Sequence, residues 1–212
     1  MIPRKEDYLS MYRDLHTPAV AEVLQNAVVG IAGLGGLGSN AAALLARAGV
    51  GSLVLADFDT VDFSNLNRQQ YSIEDVGRPK AQALPEALKR VNPYIGLQAH
   101  VTRLTEENIP GIFNECSVVV EAFDDPVAKQ MIIETVLGKM PSAWIVAASG
   151  LAGYGHYEEL AVRWFDRFVL CGDGVSEVAP GVPLLAPRVA LVAATEADVV
   201  IQILMKNAGF SA

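Results

Sequence analysis

Cysteine is almost missing from this chain: only Cys116 and Cys171 occur in 212 residues. With no CxxC pair, neither a disulfide framework nor a thiolate zinc site is expected. Histidine is as sparse, and His16, His100 and His156 show no ligand spacing. Positive charge is also short. The 16 Lys and Arg stand against 24 Asp and Glu, a formal net charge of −8, whereas a nucleic-acid groove needs a basic face. No apolar run reaches the roughly 18 residues of a membrane-spanning helix. The nearest, VALVAATEADVVIQILM, is interrupted by Glu196 and Asp198. The opening stretch MIPRKEDYLSMYRDL has no apolar core after its charges, so a secretory leader is not expected. Together these absences lead to the expectation of a cytoplasmic protein.

What is present is apolar material, 51% of the residues, enough for one sizeable α/β core. Between Arg4 and about Gln25 the spacing predicts one or two short helices, interrupted near Pro18. AVVGIAG reads as a buried parallel strand and LGGLGSNAAALLARAGV as the helix it feeds, closed by Gly49. SLVLADFD is a second strand. KAQALPEALKRV is helical, with Pro85 expected to kink or break it. GLQAHV and CSVVVEAFDD follow as strands, with Cys116 opening the latter, then a helix from Pro126 and the strand AWIVAASG. LAVRWF and RFVLCGD alternate as a hairpin does. The last helix begins near Pro187 and presents Val189, Val192, Val199 and Ile203 at helical spacing. The expected fold class is α/β: a doubly wound, Rossmann-like domain over residues 1–212, with a helical segment at 1–26 and a mostly parallel sheet extended by antiparallel strands.

Gly33-Leu34-Gly35-Gly36-Leu37-Gly38 fits G-x-G-x-x-G and stands between a strand and a helix. Glycines there permit a tight turn and let backbone N–H groups approach a phosphate at the helix N-terminus. Asp57, 19 residues beyond Gly38, ends the second strand, where an acid can accept from ribose hydroxyls. The plainer account is that the glycines only allow close helix–strand packing. The loop by itself does not choose among NAD, FAD and ATP.

The segment after Asp57 is more particular. DFDTVDFSNLNRQQ is followed by GRPK, ending at Lys80. Gly-x-Gly-Gly-x-Gly, then Asp-x-Asp-x-Val-x-x-Ser-Asn-Leu-x-Arg-Gln, then Gly-x-Pro-Lys, resembles the ThiF/MoeB/HesA family of ubiquitin-activating-enzyme-like adenylyltransferases. The resemblance runs from about Val28 to Asp125 and, more loosely, through LLAPRVALVAA. It implies ATP- and magnesium-dependent adenylation of the C-terminal glycine of a small ubiquitin-like sulfur carrier ending in Gly-Gly, by a homodimer. It implies that Gly33, Gly35, Gly36, Gly38, Asp57, Ser64, Asn65, Arg68 and Lys80 bind the nucleotide, Asp57 at the ribose and Asn65, Arg68 and Lys80 at the phosphates. Asp124 would hold magnesium, and Arg68, Lys80 and Asp124 would carry the catalysis. Arg68 offers a planar fork to phosphate oxygens and Lys80 a compact point charge. Each has a plainer account: solvated surface charges for Arg68 and Lys80, and a helix N-cap with a first-turn acid for Asp124 and Asp125. Asp59 and Asp62 read as turn residues, Asp59 as an organiser of the loop.

Three departures from the family pattern stand out. No paired CxxC is present, so the structural zinc of longer members is not expected. The N-terminal Arg-Tyr-x-Arg-Gln block is absent; only Arg4 and Arg13 are there to reach a partner subunit. Asp124-Asp125 replaces Asp-Asn. These features resemble the short ThiF-like branch and its thiamine-type carriers. Within the family, a molybdopterin carrier or a tRNA-bound threonylcarbamoyl group are other substrates; outside catalysis, a nucleotide- or carrier-binding partner is the rival. Cys171 is a candidate for sulfur transfer, although a small buried cysteine on a strand is the commoner outcome.

Overall fold

The computed structural model describes residues 2–210. Its sheet has seven strands in the order β3-β2-β1-β4-β5-β7-β6. These are β1 (Val28–Ala32), β2 (Ser52–Asp57), β3 (Gly96–Val101), β4 (Val118–Glu121), β5 (Trp144–Ala148), β6 (Ala161–Trp164) and β7 (Phe168–Gly172). The expected hairpin is present. Its second strand, β7, joins β5 in parallel, so the antiparallel partner is β6. The order reverses between β1 and β4, so their C-terminal ends border the crevice where a doubly wound sheet takes its ligand.

The central strands are apolar on both faces because helices cover both. Val29, Ile31, Leu53 and Leu55 pack against α3 (Gly36–Ala48), α4 (Lys80–Val91) and α7 (Ala186–Asn207). Val54, Val119 and Ile145 pack against α5 (Ile109–Ile112) and α6 (Pro126–Lys139). Burying one such side chain contributes about 1.5–3 kcal/mol. In α7, Val189, Val192, Val199 and Ile203 are all buried, as their spacing predicts.

The N-terminal helices α1 (Lys5–His16) and α2 (Pro18–Asn26) close the opposite, N-terminal edge of the strands. Tyr12 donates its hydroxyl to the Arg47 carbonyl at 3.1 Å, in the last turn of α3, and Tyr8 donates to Val91 at the end of α4. Gly49 ends α3 with φ 93°, as expected of a left-handed cap.

Two expectations need correction. Pro85 does not break α4, which runs through it. The ring removes one interior hydrogen bond in the second turn, while Ala81, Ala83, Leu84 and Leu88 keep the helix face buried on both sides of it. Cys116 does not open β4: that strand starts at Val118, and Cys116 closes the preceding turn through its amide to Phe113.

Candidate nucleotide site

The glycine loop leaves β1 and enters α3. Its glycines are there for different reasons. Gly33 has φ 89°, which a side chain rarely adopts, and a Cβ on Gly38 would lie 1.9 Å from the Gly33 carbonyl oxygen. Those two serve the turn and the close packing of helix on strand. Gly35 is different. Its φ is −79°, and a Cβ there would meet only the Gln69 amide nitrogen, at 3.8 Å. Packing gives no reason for a glycine at that point, whereas close approach of a ligand does. No side chain caps the first turn of α3, so its N–H groups and the positive end of the helix dipole face that space.

Asp57 ends β2 beside this loop, buried, with Oδ2 accepting from the Leu34 amide at 2.6 Å and Oδ1 from the Asp59 amide at 2.7 Å. It therefore latches the second strand to the glycine loop. Burial pushes its carboxyl pKa upward, opposed by those two amides and by the charge of Lys80.

The polar stretch folds into a short turn of its own. Asp62 accepts from the Ser64 amide and hydroxyl, at 2.8 and 2.6 Å, and Asn65 Oδ1 takes the Asp62 amide at 3.0 Å. This is a reciprocal cap. The Ser64 hydroxyl proton and Asn65 Oδ1 are thus committed to the turn. Asn65 Nδ2 is the group left for a ligand. The cap delivers Arg68 over the start of α3: a Cβ on Gly36 would lie 3.6 Å from Arg68 Cγ. Arg68 Nη1 donates to Asn67 Oδ1 at 2.8 Å and to the Ser64 carbonyl at 3.3 Å.

Lys80 arrives by a second local device. A bridge between Thr60 and Pro79 folds GRPK back on the end of β2, and the Lys80 amide bonds the Asp59 carbonyl at 2.9 Å. Its Nζ lies 3.1 Å from Asp59 Oδ2. Lys80 is only 6% exposed, so the solvated-surface account fails for it. Asp59 organises the loop, as its position in the sequence suggests.

Asp124 is not at the end of the fourth strand, which stops at Glu121; it sits exposed in the bend before α6. Asp125 is the N-cap, accepting from the Ala128 amide at 2.7 Å. The bend abuts the glycine loop, since a Cβ on Gly33 would lie 2.9 Å from the Ala122 carbonyl oxygen. Among the described residues no three His, Cys, Asp or Glu side chains converge as a metal cage. Magnesium held by one or two carboxylates together with substrate phosphates needs no such cage, so an exposed Asp124 at this edge fits that kind of site.

The sheet edge therefore gathers the glycine loop, Asp57, Arg68, Lys80 and the bend carrying Asp124. It does not gather Arg4 and Arg13. Arg13 lies in α1 and Arg4 directly precedes it, at the other edge of the strands. Nor does it offer a reactive thiol: Cys171 is fully buried, and burial, aided by the charge of Glu196, pushes its pKa up to about 12. Burial does the same to Cys116.

Two buried ionic groupings escaped the sequence reading. Lys129 Nζ lies 2.9 Å from Glu121 Oε2, and Glu196 is fully buried behind them with neither carboxylate oxygen hydrogen-bonded among the described residues. Burial first, and the Glu121 charge second, push the Glu196 pKa well upward. Arg188 Nη2 lies 2.8 Å from Asp173 Oδ2, and both side chains are buried. The one visible signal for the first grouping was a glutamate closing the all-valine strand VVVE.

A model described as the ThiF family matches residues 10–210. The chain belongs to the ThiF family. The ThiS adenylyltransferase of Escherichia coli K12 is 47% identical over 103 residues, 48% of this chain and 41% of that protein. The probable adenylyltransferase/sulfurtransferase MoeZ of Mycobacterium tuberculosis H37Rv is 37% identical over 123 residues, 57% of this chain and 31% of that protein. The chain thus spans less than half the length of both relatives. Among solved structures, the E. coli tRNA N6-threonylcarbamoyladenosine dehydratase TcdA bound to ATP superposes with a TM-score of 0.85. It covers 98% of each chain at 20% identity, a likeness of fold. Among the described residues of this ThiF-family chain, no helix is long and apolar enough to cross a membrane.

Proposed function

We propose that the chain is an ATP-dependent adenylyltransferase that activates the C-terminal glycine carboxylate of a small, ThiS-like sulfur carrier. The observation that carries this reading is the pairing of an open space over Gly35, unexplained by packing, with two cations held at the same sheet edge by separate local devices: Arg68, whose stem lies over Gly36, and Lys80, held by Asp59 beside Asp57. Hydride transfer develops no new charge at a phosphate, so it gives such cations no part in the chemical step. A reaction at phosphorus does.

In the proposed reaction one carboxylate oxygen of the carrier attacks the α-phosphorus. An O–P bond forms, the bond from the α-phosphorus to the bridging oxygen breaks, and its electron pair leaves with pyrophosphate. The nucleophile is already an anion, so no base is required; the problem is positioning and charge. The first-turn amides of α3 hold phosphate oxygens. Asp57 accepts from the ribose. Arg68 and Lys80 offset the charge that gathers on the α-phosphoryl oxygens and the departing pyrophosphate. Asp124 would hold magnesium, which supplies further charge neutralisation at the phosphates when bound.

We further infer a cytoplasmic homodimer. Arg4 and Arg13 lie on the far edge of their own sheet, so any contact they make with a nucleotide is with another copy's. The test is ATP–pyrophosphate exchange with a candidate carrier. Exchange should appear only when carrier is present and vanish when its terminal carboxylate is amidated. Exchange indifferent to that amidation, or binding of NAD in place of ATP, contradicts the reading.

A further inference from the structure

The bend from Ala122 to Asp125 is pinned on both sides of Asp124. On one side the Phe123 amide donates to Glu121 Oε1 at 2.7 Å. On the other the Ala128 amide donates to Asp125 Oδ2. The Glu121 carboxylate is itself held by Lys129 Nζ, at 3.1 Å to Oε1 and 2.9 Å to Oε2, and the same ammonium donates to the Ala148 carbonyl at 3.1 Å. One cation thus joins the end of β4, the first turns of α6 and the end of β5. Next to this knot the Ala122 amide bonds the Ala32 carbonyl at 2.8 Å, and Ala122 packs against Gly33. The position of Asp124 relative to the glycine loop is therefore set through Glu121.

Stability alone is a poor reason for this pair. Two charges taken out of water are repaid only by good geometry, and apolar replacements are often as stable. What an apolar pair would lack is an acceptor for the Phe123 amide.

We propose that Glu121 and Lys129 are positioning residues: together they clamp the β4–α6 bend so that the Asp124 carboxylate meets the metal and phosphates of bound nucleotide. The proposal rests on the magnesium role of Asp124 inferred above. Outer partners of this kind change metal affinity about tenfold to a hundredfold when lost.

The test uses the full chain, calorimetric titration of ATP at a series of magnesium concentrations, and amide exchange of the segment 122–125 without nucleotide. Lys129→Met should raise the magnesium concentration for half-maximal tightening of ATP binding by about tenfold. It should also speed exchange at Phe123 and leave metal-free ATP binding unchanged. Lys129→Arg should restore the magnesium response. The double variant Glu121→Leu/Lys129→Met, which strands no buried charge and removes the acceptor of the Phe123 amide, should behave as Lys129→Met if the single variant folds poorly. A shift in the magnesium response for Asp124→Asn, with none for Lys129→Met or the double variant, overturns the clamp and leaves the role of Asp124 standing. No shift even for Asp124→Asn removes the magnesium role and the clamp's purpose with it. Unchanged exchange at Phe123 in both clamp variants overturns the geometry on which the proposal stands.

Discussion

At the residue scale the clearest contrast lies between Gly35 and Gly38. Gly38→Ala places a Cβ 1.9 Å from the Gly33 carbonyl oxygen, backbone that cannot swing aside, so unfolding stability should fall by about 1–3 kcal/mol or more. Gly35→Ala should leave the melting temperature unchanged and weaken ATP binding. Thermal melts and calorimetry on the two variants check this; a Gly35→Ala that melts early and binds normally would show that the glycine serves packing. Arg68→Ala and Lys80→Ala should each slow carrier-dependent pyrophosphate exchange by about a hundredfold to a thousandfold, the usual effect of losing a donor at developing charge. The fate of individual charges is where sequence reading ran short. Glu196 and Asp198 look alike as interruptions of an apolar run, yet Glu196 is fully buried and Asp198 exposed. Only the partner elements decide: Glu196 faces Glu121 of β4, Lys129 of α6 and Cys171 of β7. With its folded pKa raised, Glu196 stays protonated while the unfolded chain ionises, so stability falls as pH rises above about 4.3, the ordinary glutamate value. Glu196→Gln cannot ionise, so its melting temperature should gain on wild type between pH 5 and pH 8; a constant difference would contradict this.

At the scale of elements, the loop after β5 and the loop after β7 cross at close range. A Cβ on Gly150 would lie 1.9 Å from Asp173 Oδ1. Asp173 Oδ1 accepts from the amides of Val175 and Ser176, both at 2.8 Å, while Arg188 at the start of α7 reaches Asp173 Oδ2 and the Gly155 carbonyl, each at 2.8 Å. Burial alone would raise the Asp173 pKa; the Ser176 and Val175 amides, the Ser176 hydroxyl and Arg188 outweigh it and hold it at about 2. Removing one member of so buried a pair costs about 3–5 kcal/mol, the loss expected for Arg188→Met in urea unfolding. The folded pKa lies below the unfolded value of about 3.9, so the stabilisation is complete above pH 4 to 5 and fades as pH falls toward 2. Asp173→Asn should therefore be less stable than wild type at pH 7, with the gap narrowing toward pH 2. Strands and helices were legible because period and turn residues are local signals. The two ionic knots were not: Glu121 and Glu196 stand 75 residues apart in sequence and Asp173 and Arg188 15 apart, and each set comes together only through the fold. Of the kink or break expected at Pro85 the break does not occur for a related reason: a single lost hydrogen bond weighs less than the side chains the same helix buries.

For the whole molecule, the strand order and the polar stretch after Asp57 reinforce each other. The reversal between β1 and β4 opens a crevice at the C-terminal ends of the strands, and DFDTVDFSNLNRQQ with GRPK brings Arg68 and Lys80 to that same edge from the end of the neighbouring β2. Both the motif spacing and the alternating pattern were readable from sequence, which is why the fold class was foreseen and why Arg68 and Lys80 could be named before their surroundings were known. The positions of Ser64, Asn65 and Asp124 depended on caps and on where β4 stops, details that spacing alone does not fix. The central claim is chemistry at the α-phosphorus of ATP, with a carrier carboxylate as nucleophile. Its most direct measurement is a single-turnover reaction of this chain with ATP labelled at the α-phosphate and a carrier ending in Gly-Gly. The label should move to the carrier as an acyl adenylate, one for each pyrophosphate released. Release of ADP and inorganic phosphate, or AMP formed without carrier, would contradict the account.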